Sequence, residues 1–186
     1  MSDELHSPPP LTRLAALLEP QIPALRRYAF ALTRDHTAAD DLVQDTLERA
    51  ISRWMLRAGD PALRAWLFAI LHNLFIDGQR AHRRRPLHDT LDDEADQAGT
   101  PATQEASLIG RDTLAHFGAL SHEHQAVLLL VGVEGLSYAS VARVLGVPLG
   151  TVMSRLSRAR EQFRRLIDGE RAPGRPNLWP DLRRVK

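Results

Sequence analysis

LSYASVARVLGVPLGTVMSRLSRAREQF, residues 136–163, is the stretch that decides the fold of the C-terminal part of this chain. Ser137 suits the N-cap of a first short helix, because its hydroxyl can accept a hydrogen bond from a free backbone N–H. Gly146 permits the left-handed backbone of a tight turn, after which Gly150 and Thr151 open a second helix. Apolar residues then recur at helical spacing, as Val152, Leu156, Ala159, Phe163, Leu166 and Ile167. The pattern predicts helices at about 137–145 and 149–167 joined by a tight turn.

A helix-turn-helix of this kind is typical of DNA-binding proteins. The start of its second helix enters the major groove, where serine and arginine side chains can contact base edges. Six arginines lie between Ser137 and Leu166 against the single acid Glu161, and such a basic surface can neutralise phosphates. The same pattern also fits a helical hairpin that is merely basic. We take DNA binding as the prediction, through Thr151, Met153, Ser154, Arg155, Ser157, Arg158 and Arg160.

The composition favours a helical, cysteine-free protein. Hydrophobic residues make up 44% of the 186 residues and aromatic residues only 5%, so leucine and alanine supply most of the core. The absence of cysteine excludes disulfides and thiolate metal sites and fits a reducing compartment. No signal peptide is visible, and no apolar run approaches the ~20 residues that span a bilayer. These features predict an all-α protein in the cytoplasm, without membrane insertion.

The order of polar and apolar segments predicts two small helical domains joined by a flexible linker. Helices are expected at about 11–18, 23–33, 38–54 and 62–79, the third of them capped by Thr37 with Asp40. Past Arg83 the apolar period stops, and charged and small residues with two prolines follow. The predicted organisation is a disordered lead at 1–10, a domain at 11–82, a linker at 83–104, a helix-turn-helix domain at 105–168 and a tail at 169–186.

Three segments together resemble the extracytoplasmic-function sigma factors of bacterial RNA polymerase. The first is AADDLVQDTLERA at 38–50, the second is LRAWLFAILHNLFIDGQR at 63–80, and the third is the helix-turn-helix at 136–160. They occur in the order that the family has, and the match covers about 23–167. Met153 and Ser157 depart from the family, in which many members have a basic and some an aromatic residue, so the −35 preference cannot be transferred.

The resemblance implies partners and roles for particular residues. Core RNA polymerase, through its clamp helices and flap, and promoter DNA are the expected partners, and an anti-sigma factor is possible. The first segment would dock on the clamp through Asp40, Asp41, Gln44 and Glu48. The second would recognise the −10 element, with the Asn73 amide holding a flipped-out base. Its other candidate residues are Trp66, which could stack on a base or pack in the core, and Arg80, Arg83 and Arg84, which would grip the DNA backbone.

Two other classes of protein are considered. A stand-alone helix-turn-helix regulator would use only the C-terminal motif and would leave the second segment unexplained. An enzyme is not expected, since the chain has no glycine-rich phosphate loop and no nucleophile elbow. His122 and His124 form the tightest of the histidine clusters, but residues two apart on a helix point to different faces. We therefore predict no catalytic residues, metal or cofactor.

Overall fold

The computed structural model describes residues 10–53, 62–84 and 113–169, and within these ranges every regular element is a helix. The all-α prediction is confirmed. The elements are α1 (Pro10–Leu18), a 3-10 turn (Glu19–Gln21), α2 (Ile22–Thr33), α3 (His36–Arg53), α4 (Leu63–Arg84), α5 (113–118), α6 (His122–Leu128), a π-helical turn (Leu129–Val133), α7 (Tyr138–Leu145) and α8 (Leu149–Gly169).

Two helix ends lie near the boundaries predicted for the N-terminal domain. Helix α1 starts at Pro10 and α4 continues to Arg84, two residues into the predicted linker. Most of the predicted N-terminal lead, linker and C-terminal tail lies outside the described residues, as do residues 54–61.

Helices α2, α3 and α4 pack together in the N-terminal domain. Leu25, Tyr28 and Ala29 of α2 are completely buried, and the Tyr28 ring meets Phe68 of α4 edge-on, with 5.3 Å between ring centroids. The Tyr28 hydroxyl lies 3.1 Å from His72 Nδ1 on the same helix α4. These contacts fix α4 against α2 along its buried side.

The predicted cap of α3 is wrong. The helix begins at His36, and the carboxylate of Asp35 caps it by accepting a hydrogen bond from the Ala38 N–H at 2.5 Å. Asp40 instead forms an ion pair with Arg26 of α2 at 2.8 Å. The earlier Asp35 takes the capping position because α2 ends in a left-handed residue, Arg34, which turns the chain directly into the new helix.

The helix-turn-helix has the predicted geometry. The Ser137 hydroxyl accepts a hydrogen bond from the Ser140 N–H at the start of α7, and Gly146 ends α7 with φ 64°. Val152, Leu156 and Ala159 of α8 are buried against the rest of the domain, mainly α6 and α7. The three local signals read from the sequence, a serine cap, a glycine turn and an apolar stripe, are confirmed.

The two domains pack against each other. Helix α4 lies along α7, helix α2 contacts α6, and buried side chains of both domains belong to one hydrophobic cluster. Phe75 of α4 meets the His122 ring of α6 edge-on, with 5.2 Å between centroids. In this structure the described residues therefore form one compact body.

Candidate nucleic-acid and polymerase interface

The first three turns of α8 present an exposed surface of polar and apolar side chains. Met153 is 54% exposed, and Ser154, Ser157 and Arg158 are also exposed. Val152 and Leu156 anchor the same turns from the buried side, so the backbone that carries the outer residues is held firmly. Ser154 is further tied to its helix by a hydrogen bond from its hydroxyl to the Thr151 carbonyl at 3.1 Å. This arrangement can present side chains to a DNA groove without distorting the domain.

Not all predicted −35 residues lie on that surface. Thr151 and Arg160 are half-buried, and the Arg155 side chain is 25% exposed. The Arg155 guanidinium donates to the carboxylate of Glu123 on α6, with 3.1 Å between Nη2 and Oε2. The structure therefore separates four outward residues from three that lie at the edge of the helix packing.

Arg155 also lies near the N-terminal domain. Burial, together with the positive charge of Arg155, lowers the pKa of His72 on α4 to about 4, so this histidine is neutral at pH 7. Burial likewise raises the pKa of Tyr28, whose hydroxyl stays protonated beside it. The start of α8 is thus within electrostatic reach of the middle of α4.

The candidate −10 residues are distributed along α4. Asn73, Arg80 and Arg84 are exposed, and their spacing of seven and four residues places them on one side of the helix. Arg80 lies 3.8 Å from Asp77. Trp66 is half-buried and packs against the core, which favours the packing alternative. The side chain of Arg83 lies outside the described residues.

The predicted polymerase-docking residues form a continuous exposed surface on α3. Asp40, Asp41, Gln44 and Glu48 are all exposed, and the Gln44 amide donates to the Glu48 carboxylate at 3.1 Å. Asp45, which was not in the predicted set, is exposed beside them. At the start of this surface, Asp40 forms its ion pair with Arg26 of α2.

Glu134 is a residue whose importance the sequence did not indicate. Its side chain is 1% exposed, yet it binds two arginines of the other domain. Arg64 donates to Oε2 at 2.7 Å, and Arg27 donates to both carboxylate oxygens at 3.1 and 3.3 Å. No local pattern could have revealed this group, because its partners lie 107 and 70 residues away along the chain.

Among the described residues, no cluster of three or more potential metal ligands is present. His122 faces Phe75, whereas the His124 ring lies 2.9 Å from the Gln162 side chain on α8. The two histidines therefore point in different directions, as their spacing predicts. None of the described helices is long and apolar enough to cross a membrane.

Two family models match the chain. Residues 18–72 match the sigma2 domain of PhyR, and residues 117–163 match region 4 of sigma-70. The first match covers α2, α3 and the first ten residues of α4, up to His72, and the second covers α7, the turn after it, and α8 as far as Phe163. The two matched ranges lie on either side of residues 83–104.

Curated proteins and solved structures are similar to this chain over most of its length. The chain is 36% identical over 146 residues to the ECF RNA polymerase sigma factor EcfG of Rhodopseudomonas palustris, covering 78% of this chain and 80% of that protein. It is 38% identical over 153 residues to the ECF RNA polymerase sigma factor SigL of Mycobacterium tuberculosis, covering 77% of this chain and 82% of the relative.

Among solved structures, the sigma factor RpoE of Bartonella quintana, in complex with the anti-sigma factor NepR, matches with a TM-score of 0.68 and 31% identity. That match covers 86% of this chain and 99% of RpoE. CnrH, in complex with the cytosolic domain of CnrY, matches with a TM-score of 0.66 and 26% identity, covering 87% of this chain and 91% of CnrH. On the identity and coverage of these relatives, the chain belongs to the extracytoplasmic-function family of RNA polymerase sigma factors.

Proposed function

We propose that this protein is a promoter-specificity subunit, which binds core RNA polymerase and directs it to promoters by recognising a −10 and a −35 element. The observation that carries the proposal is the pairing of two surfaces on one chain of this family. One is the exposed start of α8 in a helix-turn-helix, and the other is the acidic surface of α3. A stand-alone regulator needs the first surface but has no use for the second.

The −35 element is proposed to be recognised by α8. Met153, Ser154, Ser157 and Arg158 are exposed and can contact base edges, and arginine is the residue that most often recognises guanine. Thr151, Arg155 and Arg160 lie at the margin and would contact the DNA backbone, which sets position rather than sequence preference. Met153 offers only apolar contact, which suits a thymine methyl group.

The −10 element is proposed to be recognised along α4. The exposed Asn73 amide has both a donor and an acceptor and can pair with the edge of an unstacked base. Arg80, Arg83 and Arg84 follow toward the end of the helix and would hold the phosphates of the same strand. Trp66 would support this surface from the core.

Core polymerase is proposed to bind the α3 surface through Asp41, Gln44 and Glu48, with Asp40 at its edge. Acidic side chains and an amide suit a basic partner surface and speed its encounter through electrostatic steering. We also propose an anti-sigma factor as a regulator, since the structures of RpoE and CnrH that match this chain are complexes with NepR and CnrY. A polymerase subunit of this kind performs no catalysis of its own and would act in the cytoplasm.

A second candidate function follows from the family model matched by residues 18–72, which describes the sigma2 domain of PhyR. One solved structure names PhyR an anti-anti-sigma factor complexed with the anti-sigma factor NepR. A chain of that type would bind an anti-sigma factor through a sigma-like surface without acting on promoters. The exposed arginine and serines of α8 favour promoter binding instead.

Reconstituted transcription distinguishes these functions. Purified protein is mixed with core polymerase and a library of promoter fragments, and run-off transcripts are sequenced. We expect initiation at promoters that share two elements, and no transcripts from core polymerase alone. Tight binding of DNA by the isolated protein without initiation would support a stand-alone regulator, and binding of an anti-sigma factor without initiation would support a PhyR-like role.

A further inference from the structure

The packing of the two domains places the candidate −10 surface on α4 and the candidate −35 surface on α8 close together, whereas binding to a promoter requires them to be far apart. The −10 and −35 elements are separated by about 25 base pairs, or about 85 Å of B-form DNA at ~3.4 Å per base pair. A compact body of this size measures about 35 Å across. Moreover, Arg155 of α8 lies close enough to affect His72, the neighbour of Asn73 on α4. The closed arrangement therefore cannot present both candidate surfaces to one promoter.

Two polar contacts fasten the closed arrangement. The first, which we name the Glu134 clasp, joins Glu134 to Arg27 and Arg64, and Arg64 Nη2 also donates to the Glu134 backbone carbonyl at 3.2 Å. In the second, the Arg34 latch, the guanidinium of Arg34 crosses to α5 and donates to the Leu114 carbonyl at 3.0 Å. Both contacts connect the N-terminal domain to the C-terminal domain.

The Arg34 latch depends on a glycine. A Cβ atom placed on Gly118 would lie 1.0 Å from Arg34 Nη2 and 1.6 Å from its Cζ, so any larger residue displaces the guanidinium. Gly118 has no positive φ that would require a glycine for the backbone itself. The missing side chain instead provides the space that the arginine of the other domain occupies.

We propose that this closed form is a resting state of the free protein, held by the Glu134 clasp and the Arg34 latch, and that the domains must separate before both promoter elements can be bound. The chemistry of the clasp suits a reversible contact. The free energy gained when a buried carboxylate pairs with cations is roughly equal to the free energy of hydration that the carboxylate loses. The clasp therefore specifies how the domains are arranged without holding them together permanently. When the domains separate, water can solvate all three charged groups, and no charge stays buried and unpaired.

The conformational part of this proposal does not depend on the proposed function, and it can be tested without polymerase or DNA. Because the chain has no cysteine, Ser52→Cys on α3 and Ala139→Cys on α7 give two unique labelling positions, both exposed. Single-molecule fluorescence transfer between dyes at these sites reports the separation of the domains. We expect one main population at short distance in the free protein.

Glu134→Lys places a third cation beside Arg27 and Arg64 and should open the molecule. Loss of a buried hydrogen-bonded charge pair predicts at least about a tenfold fall in the ratio of closed to open molecules. The matched control is Glu161→Lys, which makes the same charge change at an acid whose partners, Arg164 and Arg165, lie on its own helix. This control should leave the distance distribution unchanged.

Gly118→Ala tests the Arg34 latch. It also keeps the proposal testable if the Glu134→Lys variant does not fold. Alanine favours a helix over glycine, yet it should shift the population toward long distances by displacing Arg34. The control is Gly78→Ala, where an added Cβ meets nothing within 4 Å. Circular dichroism verifies that each variant is folded.

The proposal is overturned if folded Glu134→Lys and Gly118→Ala both keep the wild-type distance distribution, or if the wild type is already extended. If the closed form is the resting state, addition of core polymerase and promoter to the wild type should lengthen the distance between the two dyes. The Glu134→Lys variant should also reach half-maximal transcription at a several-fold lower protein concentration than the wild type. Absence of transcription with an intact distance change would count against the proposed function but not against the closed resting state.

Discussion

Arg158 and Arg155 lie almost one helical turn apart on α8, and the structure predicts different consequences for their removal. Arg158 is exposed at the outer surface, whereas Arg155 is held by Glu123 and turned toward the helix packing. A bidentate arginine–base contact contributes about 1–3 kcal/mol of discrimination against a wrong base, so Arg158→Ala should reduce −35 selectivity about 5- to 150-fold.

Arg155→Ala should have a smaller and sequence-independent effect. Before it can contact a phosphate, Arg155 must give up its pair with Glu123, whose side chain is 63% exposed. An exposed pair of this kind contributes at most about 1 kcal/mol, and a single phosphate contact is weakened by salt, so we expect a loss of less than about fivefold on every promoter.

The assay is run-off transcription with core polymerase on a matched promoter and on promoters carrying each single substitution in the −35 element. For Arg158→Ala, the ratio of matched to substituted transcription should fall at one or two positions. For Arg155→Ala, all ratios should stay constant while total transcription drops slightly. If Arg155→Ala instead lost selectivity at particular bases, our assignment of the outward surface of α8 would be wrong.

Three further predictions concern the N-terminal domain. Asp41→Ala combined with Gln44→Ala should abolish binding to core polymerase in a pull-down without lowering the melting temperature, because both side chains are exposed; unchanged binding would mean that α3 is not the docking surface. Asn73→Ala should reduce transcription from promoters with an intact −10 element by about tenfold or more. On a promoter whose −10 element is already melted and lacks the base that Asn73 would hold, the wild type and the variant should give the same amount of transcript. The pKa of His72 is about 4 in the folded protein and about 6.5 in the unfolded chain. The unfolded chain therefore binds the proton more readily at acidic pH. The free energy of unfolding should fall by up to about 3 kcal/mol as the pH drops from 6.5 to 4. Urea titrations of the wild type and of His72→Gln should reveal this as a smaller pH dependence in the variant, and an identical dependence would exclude His72 as its source.

The parts of the fold that the sequence predicted well depend on local interactions. Ser137 caps α7, Gly146 terminates it, and the first half of the α8 stripe, from Val152 to Ala159, is buried, because each of these effects involves residues within one or two turns. The cap of α3 was mispredicted at Thr37 because two acceptable capping residues lie two positions apart. The choice between them depends on how α2 ends at Arg34, which the sequence does not display.

The contacts between the domains could not be predicted in this way. A lone glutamate such as Glu134, near a glycine, resembles an ordinary solvated loop residue, and its burial follows only from the approach of α2 and α4. Arg34 and Gly118 are likewise unremarkable in the sequence. The candidate site was found through the resemblance of three segments to one family, while the distinction between outward Arg158 and inward Arg155 required the packing of α6 against α8.

The π-helical turn at Leu129–Val133 has a consequence for the length of this segment. A wide turn inserts one residue relative to an α-helix, and the Glu134 N–H accordingly bonds to the Leu129 carbonyl at 2.9 Å. Removal of a single residue here would restore ordinary α-helical geometry but rotate everything after it by about 100°. Glu134 would then face away from both arginines, although every amino acid needed for the ion pairs would still be present. Gene variants that shorten this turn by one codon should therefore be tolerated less well than many substitutions within it.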